Sequence, residues 1–225
     1  SDLDLSGAAL VLGGNVVLDN VITNNQTRFE LAEDATVTRN AGFTLGGINF
    51  ANKTFTLGSA TTDMTLVDNS SSSSSNASPP GTFATKLADL TFISSGAANI
   101  TTGTTITSTG GKFSFAKGIK MNGATISLTD TTLAIGDNLT KTGGTLTLNQ
   151  ADLELTSDLS ISSDAAMAFD SFTPNAKDLE LASNSTAEVS LGNLSLASSS
   201  VDVKGGTLNI TGGSVGANGS LEVGG

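Results

Sequence analysis

Residues 143–162 read GGTLTLNQADLELTSDLSIS. Leu146 and Leu148, Leu153 and Leu155, then Leu159 and Ile161 form three apolar-x-apolar units within this stretch. Two side chains separated by one residue share a face of a strand, because side chains alternate with period two. The residues between them, such as Thr147 and Glu154, then face solvent. Three short strands in about 20 residues make one coil of a three-sided parallel β-helix, with Gly143-Gly144 supplying the positive φ that a tight corner needs.

Working outward, the same unit recurs about every seven residues and sorts into three columns. One runs Ile106, Ile126, Leu146, Met167, Val189, Leu208. A second runs Phe113, Leu133, Leu153, then Leu194 and Val215, with Phe172 near the missing place. The third runs Ile119, Leu139, Leu159, Leu179, Val201, Leu221, in steps of 20, 20, 20, 22 and 20 residues. Toward the N-terminus the pattern is looser. Leu3, Ile22, Phe43 and Met64 form one column, Leu10, Phe29 and Phe50 another, and Val16, Val37 and Phe55 a third. The reading is all-β: one solenoid domain over residues 1–225, with about 20 residues per coil and about 11 coils. Short strands at 8–12-residue spacing would instead suggest an antiparallel sandwich. Spacing of seven is tight for that, and hairpin signals are few. The one interruption is the Ser/Pro-rich stretch Asn69-SSSSSS-Asn76-Ala-Ser-Pro-Pro-Gly81, expected as a loop excursion over about 68–85 because it cannot bury apolar area.

Composition agrees with small repeated rungs. The chain has 18 Asn, 29 Ser, 32 Thr and 26 Gly, with no Cys, His, Trp or Tyr, and ten Phe as its only aromatics. Charged residues make up 14%, below the usual quarter, and 21 acids against 10 bases give a net charge of −11. Such a surface repels phosphate backbones and anionic lipid, which argues against nucleic-acid and peripheral-membrane partners. No apolar run is long enough to span a bilayer as a helix. The pattern opens almost directly at Leu3 and Leu5, as in a mature protein or an excised piece.

Candidate chemistry is thin. Acid–base catalysis needs clustered carboxylates, a tuned Lys or a His. There is no His, and Asp130, Asp137, Asp152, Asp158 and Asp164 fall in separate corners, although Asp152 and Asp158 could flank one groove. No catalytic, cofactor-binding or metal-binding residue is assigned, and the chain reads as no enzyme. The calcium-binding solenoid repeat is absent, since Gly13-Gly14-Asn15 and Gly205-Gly206-Thr207 lack the following acid. An outward Thr ladder is a separate candidate: Thr105/Thr107, Thr125/Ser127 and Thr145/Thr147 stack 20 residues apart, as some ice-binding solenoids arrange Thr-x-Thr. Thr is also simply a good strand residue that pairs with itself across rungs. Ten Asn head Asn-x-Ser/Thr sequons: Asn25, Asn52, Asn69, Asn76, Asn99, Asn138, Asn184, Asn193, Asn209 and Asn218. Glycans could coat the shaft there, or the sequons could arise passively because Asn and Thr both suit corners and strand edges.

Phrases such as residues 143–162 and GGTLNITGGSVGANGSLEVGG (205–225) resemble the shafts of bacterial cell-surface β-helix proteins, filamentous-haemagglutinin-like adhesins and autotransporter passengers. The resemblance is periodic and compositional and covers most of the chain. It implies a right-handed β-helix, an extracellular or cell-surface location, and a role in adhesion, display or surface coating. Partners would then be the rest of a longer shaft, another copy stacked head to tail, or host and environmental surfaces and glycans. An ice-binding solenoid and a carbohydrate-binding or polysaccharide-degrading β-helix are the alternatives.

Overall fold

The computed structural model describes the chain except for residues 1–2, 40, 58–63, 68–80, 87–88, 94–96, 103, 216–217 and 224–225. Every regular element among the described residues is a strand, and neighbouring rungs pair in parallel, one coil apart in sequence. Three faces result. Face one carries Thr104–Thr109, Thr125–Thr129 and Thr145–Asn149. Face two carries Lys112–Phe115, and face three carries Ile119–Asn122. The long strands Thr132–Thr142 and Asp152–Ser163 run around the corner between faces two and three, adding a rung to each.

The longest run of hydrogen-bonded neighbours is nine strands deep, from Phe43–Leu45 to Ser220–Val223, so the solenoid has about nine turns of about 20 residues. That is fewer than the 11 expected from length. Leu3–Asp4 and Val21–Ile22 pair only with each other, and residues 68–80 lie outside the described residues. Gly81–Lys86, expected within the loop, is instead a strand of face one, paired with Thr54–Leu57 and Thr104–Thr109. At about 4.8 Å per rung the nine turns rise roughly 43 Å.

The inward columns are the core. Phe113, Leu133, Leu153 and Phe172 stack directly, so Phe172 fills the gap left in the second column. Ile106, Ile126 and Leu146 are in register, as are Met167, Val189 and Leu208. Leu159, Leu179, Val201 and Leu221 form the third column as expected. Several expected pairs are off by two residues. Leu139 lies opposite Ile161, because the register shifts after Ile135 where the strand turns the corner. Leu194 faces Gly213, and Val215 faces Leu196. Phe29 faces Ile48 rather than Phe50, and Val37 faces Leu57 rather than Phe55. A slip of two leaves each side chain on its original face, so these errors cost the core nothing, whereas a slip of one exchanges inside for outside. Leu3 shows the latter: its partner is the buried Val21, and Ile22 points outward.

Corners repeat with the coils. Gly110, Asp130 and Gln150, 20 residues apart, take the left-handed conformation with φ of 73°, 50° and 52° as the chain leaves face one. At Gly144 (φ 70°) a Cβ would stand 2.1 Å from the carbonyl oxygen of Ala124 in the coil beneath, so both conformation and space require glycine.

Candidate functional site

The outer surface offers two regular features and one gap. On face one the Thr ladder is longer than the three rungs read from the sequence. By register Thr54, Thr82, Thr105, Thr125 and Thr145 stand in one column. Beside it run Thr36, Thr56, Ala84, Thr107, Ser127 and Thr147. Sequence reading missed the N-terminal rungs because the step from Thr54 to Thr82 is not 20 residues. Thr105, Thr107, Thr125 and Ser127 are half-buried by their neighbours, and Thr145 and Thr147 are exposed. Beyond Thr147 the ladder ends at Ala166 and Ala168, then Glu188 and Ser190.

Carboxylates line the edge of face three. A shallow groove of about 360 Å³ is bordered by Asp137, Asp158, Asp178, Glu180 and Asp202. Asp152 does not border it, so the expected flanking of one groove by Asp152 and Asp158 is not formed. Asp152 lies on face two, where it accepts a hydrogen bond from the Ser171 hydroxyl at 2.6 Å. The corner acids have structural employment. Asp158 accepts from the backbone N–H of Asp178 at 3.0 Å, and Asp178 from that of Ser200 at 2.7 Å. Asp34 does the same for Thr54, and Asp89 for Lys112, each one coil away. Each such bond satisfies a strand-entry donor that the corner would otherwise leave unpaired. Sequence could place acids in corners, but a bond to the next coil is visible only once the coils are stacked.

Ion pairs absorb other acids: Glu154 with Lys112, Asp137 with Lys117, and Glu180 and Asp202 with Lys204. The hydrogen bond from Lys204 to Glu180, then that to Asp202, holds the lysine above its ordinary pKa. Asp130 is a corner residue held at positive φ. Asp164 behaves differently. It accepts from Lys141 Nζ at 2.8 Å and from the Gly143 backbone N–H at 2.7 Å, and these bonds hold its carboxyl below the ordinary range. Among the described residues no group of three or more acids is gathered tightly enough to hold a metal ion.

Of the sequon asparagines, Asn25, Asn52, Asn138, Asn184, Asn193, Asn209 and Asn218 are exposed. Asn52 and Asn193 hold φ of 62° and 48°, a conformation Asn tolerates better than most residues, so backbone geometry alone accounts for Asn at these two positions. Asn69 and Asn76 lie outside the described residues, and the side chain of Asn99 is not described. The eight phenylalanines whose side chains are described are all buried.

No protein-family model, no curated protein and no solved structure matches the chain. The class is therefore given by geometry alone: a three-sided parallel β-solenoid.

Proposed function

We propose that this chain is a non-enzymatic shaft of an extracellular or cell-surface assembly, structural or adhesive, of the kind built by filamentous-haemagglutinin-like adhesins and autotransporter passengers. One observation carries the reading: parallel rungs stack with their apolar columns sealed inside, so each rung offers its pairing edge and its column to the next. Leu159, Leu179 and Val201, stacked in one column, are 2%, 1% and 0% exposed. An open strand edge above an open apolar column is a template for another rung of the same pattern. A neighbouring coil of a longer chain satisfies it, and so does a second copy stacked head to tail. Contacts of the second kind do not close on themselves and so build filaments. The side wall, acidic and hydroxyl-rich, is the surface that would meet a host or environmental surface, and the exposed sequons would let it carry glycans of its own.

Electron microscopy of the purified chain tests this reading. Fibres with an axial repeat near the length of one rod support self-stacking. Isolated short rods reject self-stacking and leave a shaft that meets its surroundings through the side wall. Compact particles without rod shape reject the shaft altogether.

The extended Thr columns favour a second reading, ice binding, in which hydroxyls and methyls at rung spacing order water. Among the described residues no hydrogen bond engages the hydroxyls of Thr105, Thr107, Thr125, Thr145 or Thr147. Thermal hysteresis that disappears in Thr145→Tyr is required by this reading, and its absence from the wild-type chain eliminates it. A saccharide-binding or saccharide-cleaving role has no comparable observation in its favour, because every described aromatic ring is inside.

A further inference from the structure

The face-one ladder breaks once along the shaft. Thr145–Asn149 is the last strand of the eight-stranded sheet, and Met167–Phe169, the next rung, begins a separate sheet. The break is open. Leu146 and Leu148 point inward yet are only half-buried, unlike Ile126 and Leu128 one coil below. A groove of about 380 Å³ lies along it, bordered by Leu146, Leu148, Met167 and Ala168. A second break, between Ser171–Thr173 and Leu194–Leu196 on face two, is closed: Phe172 and Leu194 are 3% and 2% exposed.

Backbone direction identifies the unpaired groups. Thr145 donates its N–H to Ala124 in the preceding coil. Alternation then turns the N–H and C=O groups of Leu146 and Leu148 toward the following coil. Asp170 donates to Ala151, which by the same rule turns Ala168 back toward the gap. These groups face one another without a ladder.

At the adjoining corner stands the one buried charge among the described residues. Lys141 occupies an inward position, opposite Met121 of the coil below and Ser163 of the coil above. Its side chain is 2% exposed and its ammonium meets Asp164. No other carboxylate among the described residues lies within ion-pair distance of it. Asp164 also holds the Gly143 N–H. One carboxylate thus ties the corner entering Thr145–Asn149 to the corner entering Met167–Phe169.

We propose that this gap is a conformational seam in the shaft, where face one opens locally between two coils, and that the Lys141–Asp164 pair is the clasp that limits the opening. A buried ammonium that loses its carboxylate is strongly unfavourable, so losing the clasp drives Lys141 outward and takes the corner with it. Units that open independently of the global fold are found where backbone pairing is sparse, as it is here.

Residue-resolved amide hydrogen exchange on the full chain tests this. In the wild type, Leu146, Leu148 and Ala168 should exchange at least about 100-fold faster than Thr145 and Thr147, whose N–H groups face a ladder. Asp164→Asn should lower protection at Gly143, Thr145 and Thr147 at least tenfold while leaving Leu133 on face two unchanged. Lys141→Met combined with Asp164→Asn, which continues the Met121 column, should restore it. Equal protection of Leu146 and Thr147 in the wild type overturns the seam. Unchanged protection in Asp164→Asn overturns the clasp, and so does a double variant as labile as the single one.

Discussion

Replacing Leu159 by Ala tests whether the stacked apolar columns carry the stability of the shaft. Leu159 is 2% exposed and lies opposite Leu179, which lies opposite Val201. The substitution removes three buried carbons, and at about 0.8 kcal/mol each the transfer term is about 2.4 kcal/mol. A cavity term adds to this. Rungs held apart by backbone hydrogen bonds cannot close on a missing side chain, so the expected total is about 3–4 kcal/mol. Thr147→Ala, on the exposed outer side of a rung, should change stability by less than about 0.5 kcal/mol. Urea unfolding followed by far-UV circular dichroism measures both. Because each coil touches only its neighbours, amide exchange should place the Leu159→Ala loss in the adjoining coils. A cost below about 1 kcal/mol for Leu159→Ala, or one equal to that of Thr147→Ala, refutes the reasoning.

Gly144→Ala should cost more than about 2 kcal/mol in the same assay, since it adds a Cβ 2.1 Å from the Ala124 oxygen to a residue at positive φ; an unchanged midpoint would mean the corner is built differently. Acid should weaken the fold through Asp164. Its folded-state pKa is depressed, so its contribution is present above the unfolded value near pH 4 and is lost as pH falls through the lower folded value. The urea midpoint should therefore hold between pH 5 and pH 7 and fall only in stronger acid, less so in Asp164→Asn. Loss between pH 7 and pH 5 would assign the titration to another group.

Much of the fold is legible in the sequence because its signal is local and repeated. Apolar-x-apolar units place Leu153, Leu155, Leu159 and Ile161 inside without any knowledge of their partners, and all four are buried. What pattern cannot supply is which unit sits on which. Leu139 meets Ile161, 22 residues on, because the chain shifts register at a corner, whereas the spacing of 20 points to Leu159. The outward surface was harder to read. The Thr columns are visible only where coils keep equal length, and the insertion before Gly81 hides their N-terminal half. Lys141 gives no sign of burial in sequence, since Lys141-Thr142 before two glycines reads as a solvated corner. Its position follows from stacking between Met121 and Ser163. The break in face one is likewise a property of pairing, which no single coil encodes.

The stacking itself is open to direct measurement, because a chain without cysteine accepts spin labels wherever cysteines are placed. Thr105 and Thr125 are opposite each other in neighbouring rungs, and Thr145 is one rung further on. Nitroxides on Thr105→Cys/Thr125→Cys then sit about 5 Å apart, and those on Thr105→Cys/Thr145→Cys about 10 Å apart. Electron paramagnetic resonance should give a spectrum collapsed by spin exchange for the first pair and only dipolar broadening for the second. Sharp, non-interacting spectra from both pairs would contradict a solenoid with 20 residues per turn and the shaft built on it.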